Sequence, residues 1–145
     1  MYNKILVPID LEDIPGSKRT LEAVKEYASD AMELEIMTVL PGFNMPLVAS
    51  YFPQGMIKQA LDAMRKELTD LAQAELGNSV KYSIWVTEGK APKRIVARAE
   101  EIGADLILIR AQRHGAVEHV MMGSVTAKVV ELAKCSVLVV KPAAN

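Results

Sequence analysis

Apolar residues fall into two alternating patterns along the chain. Residues 5–9 and 106–109 form short, nearly continuous apolar runs, and such runs predict strands buried on both faces of a sheet. Between the runs, apolar residues recur at helical spacing, most regularly at Ile57, Leu61, Met64, Leu68 and Leu71. Further strands are predicted at 33–40, 80–86 and 137–140, with a long loop after the second strand and a helix between successive strands.

This alternation predicts a single domain, residues 1–145, of the α/β class. The expected architecture is one open, doubly wound, Rossmann-like parallel sheet of five strands with helices on both faces. Residues 80–86 alternate between apolar and polar, which is typical of a strand at the sheet edge. If the first and fourth strands are neighbours at the centre, the order is 3-2-1-4-5. The first helix is predicted from the spacing of Leu21, Val24, Ala28 and Ala31.

Charge and composition exclude several classes of protein. Seventeen basic and eighteen acidic residues give a formal charge of −1, without the basic face of a nucleic-acid binder. No run approaches the roughly 20 apolar residues of a membrane-spanning helix, and the first apolar run is too short for a signal peptide. Cys135 is the only cysteine, so no intrachain disulfide forms, as is usual in a reducing compartment. We therefore expect a cytoplasmic protein that contacts neither membranes nor nucleic acid.

A ligand site is expected where the strand order reverses, at the carboxyl ends of the first and fourth strands. Asp10 ends the first strand, and Arg110 follows the fourth. Gly123, Ser124 and Thr126 open the last predicted helix, whose free amides and positive dipole end suit a phosphate. From these residues alone two interpretations remain open, because Gly123 and Ser124 could simply cap a helix. Asp10 could likewise cap the loop at 11–15.

The remaining reactive side chains give little indication of catalysis. No His and Cys residues have metal-ligand spacing, so no protein-bound metal is expected. Cys135 is expected to be an inert buried thiol, Met64 a core residue, and Trp85 a cover for the sheet edge or a neighbouring helix. No pair of residues suggests a tuned base and nucleophile. The prediction is a binding protein rather than an enzyme.

Two other proteins of this architecture fit the sequence less well. A phosphorelay receiver domain would carry its phosphorylated carboxylate at the end of the third strand, where this chain has Val86, Thr87 and Glu88, and it would end in a helix. A flavin electron carrier would have a hydroxyl-rich phosphate loop after the first strand. Residues 11–15 read Leu-Glu-Asp-Ile-Pro instead, and their acidic side chains would repel a phosphate.

Several segments resemble one family. Residues 4–10 (KILVPID) resemble the opening strand of the universal stress proteins, and Glu88 and Gly89 with Pro92 resemble the family's EGxPxxxI turn with one extra residue before the proline. Residues 122–126 (MGSVT) and 135–140 (CSVLVV) resemble its closing helix and strand. Because these matches run from end to end in the same element order, the chain resembles a member of this family.

The resemblance implies the 3-2-1-4-5 sheet, a homodimer formed through the last strand (137–141), and a stress-response binding or signalling role. It implies ATP, or the related ADP or AMP, with or without Mg²⁺, in the crevice, and at most slow ATP hydrolysis or autophosphorylation. Asp10 would contact the ribose, and the Val39 backbone would contact adenine. The residues implied to surround the adenosine are Pro8, Ile9 and Asp10. Those implied to bind the phosphates are Gly123, Ser124, Val125 and Thr126.

The chain departs from the family's glycine motif after the fourth strand. Ala111 stands where the first glycine belongs, the loop to Gly123 is one residue shorter, and the second glycine position falls at Arg113 or His114. This shorter loop resembles the F and G branch of the family, in which a polar or basic stretch accompanies adenine nucleotide binding. Arg110, Ala111, Arg113 and His114 are therefore included among the expected nucleotide contacts, since an Arg fork suits phosphate. A solvated basic loop is the alternative, and a nucleotide-free dimeric interaction protein is the alternative function.

Overall fold

The structure, a computed structural model, describes residues 2–42, 55–111 and 122–141. Within these ranges five parallel strands form one sheet in the order β3-β2-β1-β4-β5. The strands are β1 (Lys4–Pro8), β2 (Glu33–Pro41), β3 (Tyr82–Gly89), β4 (Leu106–Arg110) and β5 (Ser136–Val140). The helices are α1 (Ile14–Tyr27), α2 (Met56–Leu76), α3 (Ala91–Ile102) and α4 (Ser124–Leu132). The predicted fold class and strand order are confirmed.

Two apolar cores lie on opposite faces of the sheet, because side chains along a strand alternate between faces. On β1, Ile5 and Val7 belong to the core beneath α1 and α2, whereas Leu6 belongs to the core beneath α3 and α4. All three side chains are buried, as the continuous apolar run predicts for a central strand. On β3 the polar and apolar positions alternate, and β3 lies at the sheet edge as predicted.

The first helix is shorter than its apolar spacing predicts. α1 ends at Tyr27, and Ala28 has extended backbone angles while its N–H still donates to the Val24 carbonyl. Ala31 is exposed in the following turn. The turn is closed by a 3.1 Å hydrogen bond from the Met32 N–H to the Ser29 carbonyl. Alanine fits helices and turns alike, so the small apolar side chains at 28 and 31 did not distinguish the last helical turn from the bend.

Strands of unequal length create a crevice at the carboxyl end of the sheet. β1 stops at Pro8, which pairs with Met37, while β2 continues to Pro41 and pairs there with Gly89 of β3. β3 accordingly ends three residues later than the alternating pattern at 80–86 predicts. The short central strand leaves a gap between β2 and β4 beyond the end of β1. No helix in the described residues is long and apolar enough to cross a membrane.

Candidate functional site

A cavity of about 470 Å³ opens in this crevice, at the carboxyl ends of β1, β2 and β4. Its walls are mostly apolar. The apolar side chains come from the strands and from helices on both faces of the sheet, and include Met37, Val39, Met64, Ile95, Ile109 and Val125. A volume of this size falls within the range of small-molecule sites.

Most of the residues expected at the site line this cavity. Those that do are Pro8, Ile9, Asp10, Val39, Arg110, Val125 and Thr126. Gly123 is not among the lining residues, and neither are Ala111 and Ser124, although these two adjoin lining residues in the chain. Arg113 and His114 lie outside the described residues.

Asp10 organises the loop that follows β1 while its exposed side chain lines the cavity. Its Oδ1 accepts a hydrogen bond of 2.9 Å from the Glu12 N–H, and its carbonyl oxygen accepts one of 2.7 Å from the Ser17 hydroxyl. The capping role considered for Asp10 is therefore present, and it coexists with a position at the mouth of the cavity. A carboxylate fixed in this way can also accept hydrogen bonds from a ligand hydroxyl.

The peptide group of Val39 faces the crevice. The Ile9 N–H donates to the Met37 carbonyl at 2.8 Å, so the Met37 peptide points toward β1. Peptide directions alternate along a strand, and the peptide of Val39, two residues further, therefore points the same way but beyond the end of β1. The carbonyl of Ile9 accepts a hydrogen bond from the Thr38 hydroxyl at 2.8 Å.

The start of α4 is capped by Gly123 and not by the Ser124 side chain. Gly123 is the N-cap residue, with φ 82° and ψ 155°, and Ser124 is the first helical residue. No side chain of the described residues caps this end, so the amides of the first turn have no intrahelical or side-chain acceptor there. The conformation of Gly123 is one that residues with a Cβ rarely adopt. The buried Thr126 hydroxyl donates to the Arg110 carbonyl at 2.9 Å, which joins α4 to the end of β4.

Arg110 extends from the end of β4 toward the start of α1. Its guanidinium forms an ion pair with Asp13, and it also donates to the Ala111 carbonyl at 3.3 Å. Asp13 is the N-cap residue of α1, where its Oδ1 accepts from the Gly16 N–H at 3.1 Å. Sequence reasoning did not include Asp13, although an acid just before Ile14 and Pro15 is a typical helix start.

The backbone N–H of Ala111 is hydrogen-bonded within the protein and does not depend on a ligand for a partner. Its side chain is buried, and its N–H donates to the Val140 carbonyl of β5 at 2.9 Å. This hydrogen bond extends the pairing of β4 and β5 by one residue. The alanine therefore continues the sheet where the family's motif has its first glycine.

The charged side chains that line the cavity are mostly acidic. Asp10, Glu12 and Glu67 contribute carboxylates, and Arg110 is the one cationic side chain among the lining residues that the structure describes. Within the described ranges, no group of three or more His, Cys, Asp and Glu side chains is arranged to bind a metal ion.

Two curated proteins match nearly the whole chain. It is 29% identical over 144 residues to the universal stress protein MJ0531 of Methanocaldococcus jannaschii, covering 97% of this chain and 83% of that protein. It is 28% identical over 152 residues to the universal stress protein YxiE of Bacillus subtilis, covering 97% of this chain and all of that protein.

Solved structures share the fold. The hypothetical protein MJ0577 superposes with a TM-score of 0.80 at 24% identity, over 100% of this chain and 99% of that one. A universal stress protein in complex with cAMP has a TM-score of 0.61 at 24% identity, over 96% of each chain. The universal stress protein of Archaeoglobus fulgidus in complex with dAMP has a TM-score of 0.66 at 20% identity, over 95% of this chain and 97% of that one.

The model of the universal stress protein family matches residues 1–141. This match spans every helix and strand described above, including the crevice between β1 and β4. The chain therefore belongs to the universal stress protein family.

Proposed function

We propose that the cavity binds an adenine nucleotide, ATP or the related ADP or AMP, and that the protein acts through this binding in a cytoplasmic stress response. The observation that carries the proposal is the Val39 peptide, which faces an apolar crevice beyond the end of β1. Adenine is a flat, largely apolar ring whose edge carries one acceptor and one donor. An exposed backbone N–H and C=O of one residue can pair with that edge.

Asp10 and α4 suit the other two parts of a nucleotide. The Asp10 carboxylate lines the cavity and can accept hydrogen bonds from ribose hydroxyls. The uncapped first turn of α4 supplies amide donors and a positive dipole end for phosphate. Mg²⁺ would then enter with the phosphates, since no group of described side chains is arranged for a metal. The complexes with cAMP and dAMP in two related folds support the same ligand class.

The role proposed is binding rather than catalysis. The described lining residues contain no cysteine or histidine, and their hydroxyls already donate to protein carbonyls. Ser17 donates to Asp10, Thr20 to Gly16, and Thr126 to Arg110. A hydroxyl engaged in this way is a poor nucleophile without a neighbouring base. A homodimer through β5 is part of the proposal, because β5 is an edge strand of the sheet that the described residues form.

The test is to extract nucleotides from the purified protein, identify them by mass spectrometry, and then titrate the stripped protein calorimetrically with ATP, AMP, adenosine and GTP. Adenine ligands should bind and GTP should not, because the guanine edge reverses the donor and acceptor pattern. Asp10→Ala should weaken binding about tenfold, whereas Asp30→Ala, an exposed change at the opposite end of the sheet, should not.

Failure to bind any adenine ligand would favour the second candidate, a nucleotide-free dimeric interaction protein of the same family. Ala111 favours that candidate, because its buried side chain and its hydrogen bond to Val140 close the backbone where the motif has a glycine. Sedimentation equilibrium of the stripped protein, combined with the calorimetry, separates the two. A dimer without nucleotide affinity supports the interaction protein, and nucleotide affinity supports the proposal above.

A further inference from the structure

Arg110, the cationic side chain that lines the cavity, is paired with a carboxylate of the same chain. Arg110 forms its ion pair with Asp13, a residue that does not line the cavity. The Arg110 side chain is 13% exposed and that of Asp13 is 39% exposed, so the pair is open to solvent on the carboxylate side. A solvent-facing partner can be exchanged for another anion at a small cost.

The surroundings of Arg110 make some anion necessary. Asp13 caps the start of α1, and the Thr126 hydroxyl bonds the Arg110 carbonyl to the first turn of α4. The guanidinium itself lies at the positive end of α1, against Asp13 and Gly16, where a cation is disfavoured unless an anion accompanies it. Asp13 supplies that anion in the structure described, and a ligand phosphate has the same charge sign and the same geometry toward an Arg fork.

Gly16 leaves room for the Arg110 guanidinium in its ion pair with Asp13. A Cβ at residue 16 would overlap the guanidinium of Arg110 and the Asp13 carboxylate. Because residue 16 is the third residue of α1 and has no positive φ, alanine is compatible with its backbone. The glycine is therefore explained by the ion pair that lies on it and not by the conformation of the helix.

We infer that Asp13 competes with the phosphate of a bound nucleotide for Arg110, and that this competition sets how strongly the cavity prefers nucleotides to nucleosides. The inference rests on the proposed function and assigns Asp13 and Gly16 a role in specificity. Arg110 exchanges its carboxylate partner for a phosphate oxygen when the ligand is charged, and keeps Asp13 when the ligand is a nucleoside.

The experiment compares the affinities for AMP and adenosine by calorimetry in the wild type and in Asp13→Asn. Asparagine can still cap α1 through its side-chain oxygen, so the fold is preserved. The ratio of AMP to adenosine affinity should rise about tenfold, because Arg110 loses its competitor. Gly16→Ala should raise the ratio in the same direction without any change of charge. An unchanged ratio in both variants would overturn the inference.

Arg110→Gln separates competition from long-range charge. When Arg110 is already replaced by Gln, Asp13→Asn should no longer raise the ratio of AMP to adenosine affinity, because the guanidinium for which Asp13 and the phosphate compete is gone. Glu12→Gln removes a charge from the cavity itself and should raise the ratio by less than about threefold through Coulomb attraction alone. A gain from Asp13→Asn that persists without Arg110, or that Glu12→Gln equals, would contradict the inference.

Inorganic pyrophosphate carries phosphate without adenine, so it tests the competition for Arg110 independently of adenine binding. Its stabilisation of the protein in thermal unfolding should be larger in Asp13→Asn than in the wild type and lost in Arg110→Gln. If AMP and adenosine both fail to bind the wild type but pyrophosphate follows this order, the proposed function is wrong and the competition stands. Equal stabilisation of all three proteins by pyrophosphate would overturn the competition.

Discussion

The guanidinium of Arg98 binds the carboxylate of Glu35 through two hydrogen bonds, of 2.6 Å and 2.8 Å, beneath helix α3. Glu35 points from β2 into the sheet face that α3 covers, and Arg98 also lies 3.7 Å from the ring centroid of Trp85. The hydrogen bond to Glu35 raises the pKa of Arg98 above its ordinary value, so the guanidinium stays charged. This pair joins β2 to α3, and neither residue lines the cavity.

Glu35→Gln should lower the free energy of unfolding by about 3 kcal/mol, because it leaves a buried guanidinium with only the exposed carboxylate of Glu101 as counter-charge. The two side chains are only 10% and 14% exposed, so water cannot replace the lost partner. Urea denaturation followed by circular dichroism measures the change. Glu101→Gln removes the second, 64% exposed partner of Arg98 and should cost about 0.5 kcal/mol or less. Equal losses for the two variants would contradict the buried-pair account.

Much of the fold was predictable because hydrophobic periodicity reports burial directly. The continuous apolar run at residues 5–9 predicted a central strand, and the alternating run at 80–86 predicted an edge strand, and both are confirmed. Trp85 was expected to cover the edge or a neighbouring helix, and it lies against Arg98 of α3. Glu35 was not foreseen as a buried charge, because an acid inside an apolar strand pattern gives no sign of a partner 63 residues away.

The position of the cavity was predictable, but the contacts around it were not. Strand order alone placed Asp10 and Arg110 at one crevice, and both line the cavity. The helix start at Gly123 was also expected, yet Ser124 proved to be the first helical residue and not the cap. The partnership of Arg110 with Asp13 was missed because it joins residues 97 positions apart. Long-range side-chain pairs depend on rotamers and helix placement, which local sequence patterns do not encode.

Gly123→Ala should weaken nucleotide binding and destabilise the protein by about 1–3 kcal/mol, because φ 82° with ψ 155° is a region open almost only to glycine. Relief of that strain would rotate the first amides of α4 away from the phosphate. Gly55→Ala is the matched control, since Gly55 is the N-cap of α2, has φ 94° and does not line the cavity. Calorimetry should find nucleotide affinity reduced only in Gly123→Ala. Unchanged affinity there would count against phosphate binding at α4.

Asp105 should contribute stability that is lost in acid. Burial raises the pKa of Asp105, but hydrogen bonds from the Asn3 and Lys4 N–H groups outweigh it, so the pKa lies below its ordinary value. A lowered pKa in the folded state means that the contribution is full above about pH 3.9, the ordinary Asp value. It disappears as the pH falls through the folded value.

Asp105→Asn should therefore reduce the free energy of unfolding at neutral pH and reduce its dependence on pH in the acidic range. Urea denaturation at a series of pH values measures both quantities. Asp62→Asn, an exposed change on α2, is the control and should leave the acid dependence as in the wild type. The contrary result is that Asp105→Asn loses unfolding free energy as steeply as the wild type and Asp62→Asn when the pH falls. That result would show that the hydrogen bonds of Asp105 do not govern its protonation.

Cys135 should react slowly with thiol reagents while the protein is folded. Burial raises the pKa of its thiol above the ordinary value, and the thiolate is the reactive species. Half-buried between α4 and β5, the sulfur packs against the core beneath α3 and α4. Labelling with a chromogenic disulfide at about pH 8.5, the ordinary thiol pKa, should be much slower than labelling of glutathione and should become equally fast in denaturant. A folded-state rate that matches glutathione would show an activated thiol and would overturn the assignment of Cys135 as an inert packing residue.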